Sequence, residues 1–282
     1  MRGSVGSARA RSGDHRLNRV QTYLAPILAA HREAAAADRR PVGPLVDAAR
    51  AMAPARGFAA ALRAQASAGR LAVIAEVKRR SPSRGDLAAD LVPGVLAKAY
   101  AGGGAAAVSV LTDEAFFGGS AADLAEVRAA VELPLLRKDF TVHERDVCDA
   151  RLMGADAVLL IVAALEDAEL ADLGALAAEV GLDALVEVHD EAEAERALRA
   201  GASLVGVNQR DLTTFAVDTA RAERVAAVLP GQVVRVAESG VAGPADAARL
   251  AAAGYHAVLV GESVVTSADP ADAVHRLRVP CS

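Results

Sequence analysis

Eight short apolar runs, each followed by a segment of helical character, dominate this sequence from Leu71 onward. Their starts lie about 20 to 36 residues apart, which is the length of a strand followed by a helix and its connections. Most of the runs are apolar nearly throughout, as expected of parallel strands that are covered on both faces. The eight predicted strands are Leu71–Val77, Ala107–Thr112, Leu133–Lys138, Ala157–Ala163, Ala184–Val188, Leu204–Asn208, Gln232–Glu238 and Ala257–Gly261.

A glycine repeat supports this count. A glycine lies four residues before a valine of the second, fourth, sixth and eighth runs, at intervals of about 50 residues. Glycine at this place is typical of the left-handed residue that ends a helix before the next strand. Eight strands with a fourfold repeat favour a closed (β/α)8 barrel, the TIM-barrel class of α/β folds, over an open doubly wound sheet. The four glycines are Gly104, Gly154, Gly201 and Gly254.

A helical extension precedes the first strand, within residues 15–70. It contains two apolar stripes of helical spacing, the second around Phe58 and Leu62, and prolines separate them. Such an extension either plugs the amino-terminal end of a barrel or forms a lid at its active-site mouth, and the sequence leaves both open. We expect a flexible leader at residues 1–14 and a single barrel domain, extension included, over residues 15–282.

Composition narrows the class of partner and the compartment. The chain has 31 Lys and Arg against 36 Asp and Glu, a net charge of −5, and no long basic block, so we expect no nucleic-acid partner. Its strongest apolar run is about half as long as the roughly 20 residues of a membrane-spanning helix, so we expect no membrane segment. The two cysteines lie outside any C-x-x-C motif and indicate a reducing compartment. We therefore expect a cytoplasmic monomer.

Charged and polar side chains lie where most of the predicted strands end. In a β/α barrel the carboxyl ends of the strands form one mouth, and catalytic groups lie there. The alternative is a layer of ion pairs that only satisfies the barrel rim. So many charged groups at one mouth lower the stability of the fold. We therefore expect that they are present because they have a catalytic function. The charged and polar residues of this set are Glu76, Lys78, Lys138, Glu187, Asn208, Arg210 and Glu238.

Small residues follow the last two strands, where barrels of this class usually bind phosphate through backbone N–H groups. Ser239 and Gly240 follow the seventh strand, and Gly261, Glu262 and Ser263 follow the eighth. A carboxylate at Glu262 would repel phosphate unless it points outward, so we expect main-chain donors here. The pattern predicts a phosphorylated small-molecule substrate.

Aromatic residues make up only 3% of the chain, yet two predicted mouth loops contain them. Phe117 lies in the loop after the second strand and Phe140 in the loop after the third, which favours an aromatic-binding wall over loop packing alone. The six histidines show no H-x-H or H-x-x-x-H spacing, so we expect solvated histidines and no metal site. Arg79 and Arg80, which follow the first strand, are expected to be loop or surface charges.

Two segments at strand ends carry longer motifs. The segment from Glu76 to Ser83 reads E-V-K-R-R-S-P-S, and that from Leu136 to Phe140 reads L-R-K-D-F. The first matches the E-x-K-x-x-S-P-S pattern of the indole-3-glycerol phosphate synthase family of tryptophan biosynthesis, and the second matches its K-D-F segment. With further matches at every strand but the fourth, the chain resembles this family over about residues 70–265.

The resemblance implies conversion of 1-(2-carboxyphenylamino)-1-deoxyribulose 5-phosphate to indole-3-glycerol phosphate, with release of CO2 and water and without a metal or organic cofactor. It implies a carboxy-lyase in which Lys138 is the general acid of ring closure. It implies later proton transfers and dehydration by Glu76, Lys78 and Glu187. The remaining implied roles are orientation of the substrate by Asn208 and Ser239, substrate binding by Ser81, Phe117, Phe140, Arg210 and Glu238, and phosphate binding by Lys78, Gly240, Gly261 and Glu262.

Two other functions stay open from the residues alone. Another phosphate-binding barrel enzyme, such as a sugar-phosphate isomerase, would not need the K-D-F and F-F-x-G-S aromatic loops. A non-catalytic barrel should lack at least one of Glu76, Lys78, Lys138 and Glu187, and all four are present.

Overall fold

A computed structural model describes residues 24–81, 85–211 and 216–281 of the chain. Within these residues, eight parallel strands pair in chain order and the last pairs with the first, so the sheet closes into the predicted barrel. The strand bounds differ from the predicted ones by at most two residues. The strands are β1 Ala72–Val77, β2 Ala107–Leu111, β3 Leu135–Lys138, β4 Ala157–Ile161, β5 Asp183–Val188, β6 Leu204–Asn208, β7 Val234–Glu238 and β8 Ala257–Val260.

Helices follow the strands and cover the outside of the barrel. Those of the extension are α1 Leu24–Ala37, α2 Val42–Arg50 and α3 Phe58–Ser67. The others are α4 Pro93–Gly102, α5 Glu114–Phe117, α6 Ala121–Ala130, α7 Glu144–Leu152, α8 Asp167–Glu179, α9 Glu191–Arg199, α10 Arg221–Ala226, α11 Pro244–Ala252, α12 Glu262–Val265 and α13 Pro270–Leu277. In the described ranges, no helix is both long enough and apolar enough to cross a bilayer.

The glycine repeat does what its spacing predicts. The four glycines have φ angles between 84° and 88°, in the left-handed region, directly after α4, α7, α9 and α11. Each lets a helix end and the chain turn back toward the barrel, because a side chain would be strained there. The valine four residues later is then fully buried in β2, β4, β6 or β8.

The extension has both of the uses that the sequence left open. Helix α3 lies at the amino-terminal end of the barrel, where the side chains of Phe58 and Leu62 are fully buried. The backbone N–H of Ala59 donates to the carboxylate of Asp183, the first residue of β5, at 2.8 Å. Helix α1 lies at the opposite end and contributes side chains to the mouth of the barrel. The predicted leader, residues 1–14, and the start of the first apolar stripe lie outside the described residues.

Candidate active site

A cavity of about 560 Å³ opens at the carboxyl ends of the strands. Its lining includes each residue to which the sequence assigns a role, so the topology brings together groups from seven strand ends. These residues are Glu76, Lys78, Ser81, Phe117, Lys138, Phe140, Glu187, Asn208, Arg210, Glu238, Ser239, Gly240, Gly261 and Glu262. Pro82 and Ser83 of the first-strand motif lie outside the described residues.

Lys138, at the end of β3, is the central cation of the cavity. Its Nζ lies 2.8 Å from Oε2 of Glu187 and 3.3 Å from Oε2 of Glu238. Burial on its own would lower the pKa of Lys138, but the nearby carboxylates outweigh burial and hold that pKa above the ordinary lysine range. Lys138 therefore carries its proton at neutral pH and points it into the cavity.

The pKa values of the two glutamates beside Lys138 shift in opposite directions. Burial opposes ionisation of Glu187, yet Lys138 and then His189 lower its pKa, and the side-chain amide of Asn208 also donates to it at 3.2 Å. For Glu238, burial is the largest effect, and together with the charge of Glu187 it raises the pKa. One carboxylate is thus kept ionised and the other is biased toward its protonated form, an arrangement that separates a base from an acid.

A second ion pair lies where β1 ends. Nζ of Lys78 lies 2.5 Å from Oε2 of Glu76, as expected for positions i and i+2 on one side of a strand. The hydroxyl of Tyr100 donates to the main-chain oxygen of Glu76 at 3.0 Å and fixes the strand end. A Cβ at Gly261 would lie 2.4 Å from Oε2 of Glu76 and 2.9 Å from Nζ of Lys78, so only glycine leaves room for this pair.

Gly206, in the middle of β6, is a site residue that the sequence reasoning missed. A Cβ at this position would lie 2.0 Å from Oε1 of Glu238. That oxygen is buried and has no hydrogen-bond partner among the described residues. A glycine inside a strand signals close approach by a neighbouring group, and that signal was available in the sequence.

The backbone after β7 is strained. Ser239 has φ 64° and is the one described residue other than glycine with a positive φ; Gly240 follows at φ 71°. The side-chain amide of Gln209, fully buried, donates to the main-chain oxygen of Ser239 at 2.7 Å and holds this turn. Strain of this kind is typical of functional sites, because packing elsewhere must maintain it.

An aromatic wall, defined here as Phe117 and Phe140, closes one side of the cavity. The two ring centroids are 6.4 Å apart with an interplanar angle of 38°. Asp113 caps the short helix α5 by accepting the backbone N–H groups of Phe116 and Phe117. Leu24 and Ile27 of α1 also belong to the apolar part of the lining.

Arg79 and Arg80 lie in the segment after β1, as expected of loop charges, but both make specific contacts that the sequence did not predict. Arg79 is partly buried against the carboxylate of Asp123, and Arg80 donates to main-chain oxygens of Ala115 and Phe116. Both arginines thus connect the segment after β1 to the neighbouring loop and helix, a role that depends on carbonyl positions and therefore leaves little trace in sequence.

The expectation of solvated histidines is wrong, because four of the six histidines are half-buried and hydrogen-bonded. They are His31, His143, His189 and His256. His31 belongs to a group of side chains that could hold a metal ion. Its ring and the carboxylates of Asp113 and Asp139 place possible ligand atoms within 4.8 Å of one another. In the structure these groups bind each other instead: Nε2 of His31 lies 2.9 Å from Oδ2 of Asp113.

Comparison with known proteins places the chain in a family. A family model described as indole-3-glycerol phosphate synthase matches residues 24–277. The indole-3-glycerol phosphate synthase of Nocardioides sp. is 58% identical over 205 residues, which cover 73% of this chain and 79% of that protein. Indole-3-glycerol phosphate synthase 2 of Streptomyces coelicolor is 54% identical over 233 residues, 83% of this chain and 89% of that protein.

Among solved structures, thiamine phosphate pyrophosphorylase from Pyrococcus furiosus is similar with a TM-score of 0.55 and 16% identity. The match covers 73% of this chain and 93% of that one, and at this identity it supports the fold alone. The family model, by contrast, matches a range that includes every residue lining the cavity, and the two relatives match 73% and 83% of the chain. The chain belongs to the indole-3-glycerol phosphate synthase family.

Proposed function

We propose that this chain converts 1-(2-carboxyphenylamino)-1-deoxyribulose 5-phosphate to indole-3-glycerol phosphate, with release of CO2 and water. The observation that carries the proposal is the placement of Lys138 between Glu187 and Glu238, in a cavity whose other side is the aromatic wall. Ring closure needs one acid next to an aryl group, and this cavity offers both. A sugar-phosphate isomerase would have no use for the aromatic wall.

Lys138 acts as the general acid of ring closure. The ring carbon that bears the carboxylate attacks the sugar carbonyl carbon, and the carbonyl oxygen takes the proton of Lys138. The lysine must be protonated beforehand, and the surrounding carboxylates ensure this by raising its pKa. When CO2 then leaves, the electron pair of the broken C–C bond restores the aromatic ring, and the apolar wall favours this step by excluding water from the carboxylate.

The dehydration needs one base and one acid. A proton leaves the carbon next to nitrogen while the new hydroxyl group takes up a proton and departs as water. Glu187, held ionised by Lys138, is suited to accept a proton, and Asn208 fixes its orientation. The pair of Lys78 with Glu76 is the second proton-transfer group, at the opposite side of the mouth.

The phosphate binds at the strand ends opposite the aromatic wall. Gly240 and Gly261 offer backbone N–H groups, and Glu262 contributes through its main chain. Lys78 supplies the charge. Ser81 and Arg210, which also line the cavity, bind the remaining polar groups of the substrate, while Ser239 orients it.

The chemistry requires only proton transfers that side chains provide, so the proposal includes no metal or organic cofactor. We further propose that the protein acts as a monomer in the cytoplasm, without a nucleic-acid partner. The compartment is supported by the cysteines, since Cys148 and Cys281 are both unpaired.

The proposal is tested by turnover. Purified protein is incubated with the carboxyphenylamino deoxyribulose phosphate, and indole fluorescence and released CO2 are followed together. Equal amounts of indole product and CO2 are expected. No product at any pH from about 6 to about 9, where Lys138 stays protonated and Glu187 ionised, would overturn it.

A further inference from the structure

One histidine of the extension reaches the aromatic side of the mouth. His31, on α1, places Nε2 2.9 Å from Oδ2 of Asp113 and 3.8 Å from Oδ1 of Asp139. The two aspartates follow β2 and β3 and are almost fully buried, with side chains 4% and 5% exposed. An imidazole between two buried carboxylates links the extension to two mouth loops that are far from it in sequence.

The same two carboxylates fix the backbone of the aromatic wall. Oδ1 of Asp113 accepts the N–H of Phe117 at 3.1 Å, and Oδ1 of Asp139 accepts the N–H of Phe140 at 2.9 Å. The ring of His31 also packs on Phe140, with centroids 5.3 Å apart. Loss of the imidazole therefore removes a neighbour of Phe140 and the hydrogen-bond partner of Oδ2 of Asp113. It leaves Asp139 with Arg137 and Thr112.

The charges around His31 favour its cationic form. Asp113 and Asp139 face it from the ends of β2 and β3, and Asp146 of α7 adds a third negative charge. Asp139 also pairs with a cation, Arg137 of β3, whose Nη2 lies 2.9 Å from Oδ2 of Asp139. The hydrogen bond to Asp113 is the largest effect on His31 and raises its pKa against the opposing effect of burial.

We propose that His31 is a positioning residue for the aryl half of the substrate: its imidazolium, bound to Asp113 and Asp139, clamps α1 over the mouth and fixes the aromatic wall. Since the aryl group comes from the proposed substrate, this role rests on the proposed function. A folded-state pKa above the ordinary value of 6.5 gives a contribution that is complete below pH 6.5 and lost as pH rises through the folded value. The clamp is thus tight in mildly acidic solution and released in alkaline solution.

Steady-state kinetics of His31→Ala and His31→Lys against pH test this role. Because His31 does not touch Lys138 or Glu187, His31→Ala is expected to raise KM about tenfold at pH 6, the effect of one lost charged contact, with kcat within about twofold. The KM of His31→Ala should stay high at every pH, whereas wild-type KM rises toward it as pH increases. His31→Lys, a permanent cation, should keep KM low into the alkaline range. The titration of the substrate's phosphate is common to all variants and cancels in their ratios.

Hydrogen exchange provides a readout that is independent of activity. Without substrate, amides of Leu24–Ala37 should exchange faster in His31→Ala than in wild type, and faster in wild type at alkaline than at acidic pH after correction for intrinsic rates. The matched control is Glu33→Ala, which removes an exposed charge from the same helix and should change neither KM nor exchange.

Three results would overturn the role of His31. These are an unchanged KM together with unchanged exchange in His31→Ala, a fall in kcat at constant KM, and a wild-type KM that a chelator raises, which would assign the cluster to a metal ion. If wild-type protein does not turn the substrate over, the proposed function fails. Faster exchange of α1 in His31→Ala would in that case still support the clamp itself.

Discussion

The two ends of the barrel treat buried carboxylates in opposite ways. At the amino-terminal end, Oδ1 of Asp156 accepts the N–H of Arg56 at 2.8 Å. Its Oδ2 accepts the N–H of Leu135 at 2.8 Å and Nη1 of Arg128 at 2.6 Å. Both carboxylate oxygens of this aspartate therefore accept hydrogen bonds, from the extension, from β3 and from α6. The carboxylate holds these three elements together.

At the mouth, by contrast, two buried glutamates are less fully paired. Glu187 and Glu238 share Lys138 between them, and Oε1 of Glu238 is buried without a hydrogen-bond partner among the described residues. Such a group costs free energy in the folded state. The difference indicates that Asp156 stabilises the amino-terminal end, whereas Glu187 and Glu238 remain available for the proton transfers that we propose.

The largest effect is expected on catalysis from Lys138→Met. Loss of a general acid typically lowers the rate about 10²- to 10⁴-fold, and we expect kcat to fall by that amount while the protein stays folded. Circular dichroism checks the fold, and indole fluorescence the rate. The matched control is Lys98→Met, since Lys98 is exposed on α4 and should leave the rate unchanged. A kcat within tenfold of wild type would remove Lys138 as the essential acid.

At the other end, Asp156→Ala should affect stability and spare catalysis. Because it removes the carboxylate partner of the Arg128 guanidinium, which keeps only main-chain acceptors, and leaves two backbone N–H groups unpaired, we expect a loss of about 3 to 5 kcal/mol in the free energy of unfolding, measured in urea. Activity per folded molecule should hardly change. The control is Glu132→Ala: Glu132 also pairs with an arginine, Arg56, but is 93% exposed, so its loss should cost less than about 1 kcal/mol. Equal losses in both variants would contradict the proposed division between the ends.

The sequence predicts the barrel well because barrel strands are short, apolar on both faces and separated by regular helices. Where the bounds fail, a local cause is visible. Pro134 has no N–H for a strand ladder, and β3 begins only after it; Val162 and Ala163 continue the apolar run of β4 but form a 3₁₀ turn. The hydrophobic periodicity of the sequence does not predict a turn at the end of an apolar run.

For the site, sequence position predicts which residues meet but not what they do to each other. The rule that strand ends converge is enough to bring the predicted residues into one cavity. It cannot separate Glu187 from Glu238, because their opposite charge bias depends on burial and on distances to Lys138. His31 was missed as a site residue for a related reason, since no spacing along the chain relates it to Asp139.

The bias between the two glutamates gives opposite pH effects on stability. The folded-state pKa of Glu238 is raised, so the folded protein binds more protons than the unfolded chain above the ordinary carboxyl range, and stability falls as pH rises through that window. Glu238→Gln removes this loss and should gain about 1 to 3 kcal/mol over wild type at alkaline pH, with little gain near pH 4. Urea unfolding at a series of pH values measures it.

Glu187→Gln is the matched variant, and its stability should depend on pH in the opposite direction. The pKa of Glu187 is lowered, so its contribution is present above the ordinary carboxyl range and lost as pH falls. We expect this variant to be less stable than wild type at neutral pH and to approach it in acid. Parallel stability curves for the two variants would mean that the two glutamates do not differ in charge state.

The smallest effect is expected from Arg80→Ala, which tests whether the mouth also depends on residues that hold loops. Arg80 donates to the main-chain oxygens of Ala115 and Phe116, next to the aromatic wall. Hydrogen bonds at such partly exposed positions are worth about 1 kcal/mol or less, so KM should rise only about two- to fivefold at unchanged kcat. Arg199→Ala, on the exposed face of α9, is the control. An unchanged KM would mean that Arg80 is only the surface charge that the sequence suggests. A fall in kcat would instead place Arg80 at the reacting atoms. The distinction between residues that hold the mouth and residues that react in it would then fail.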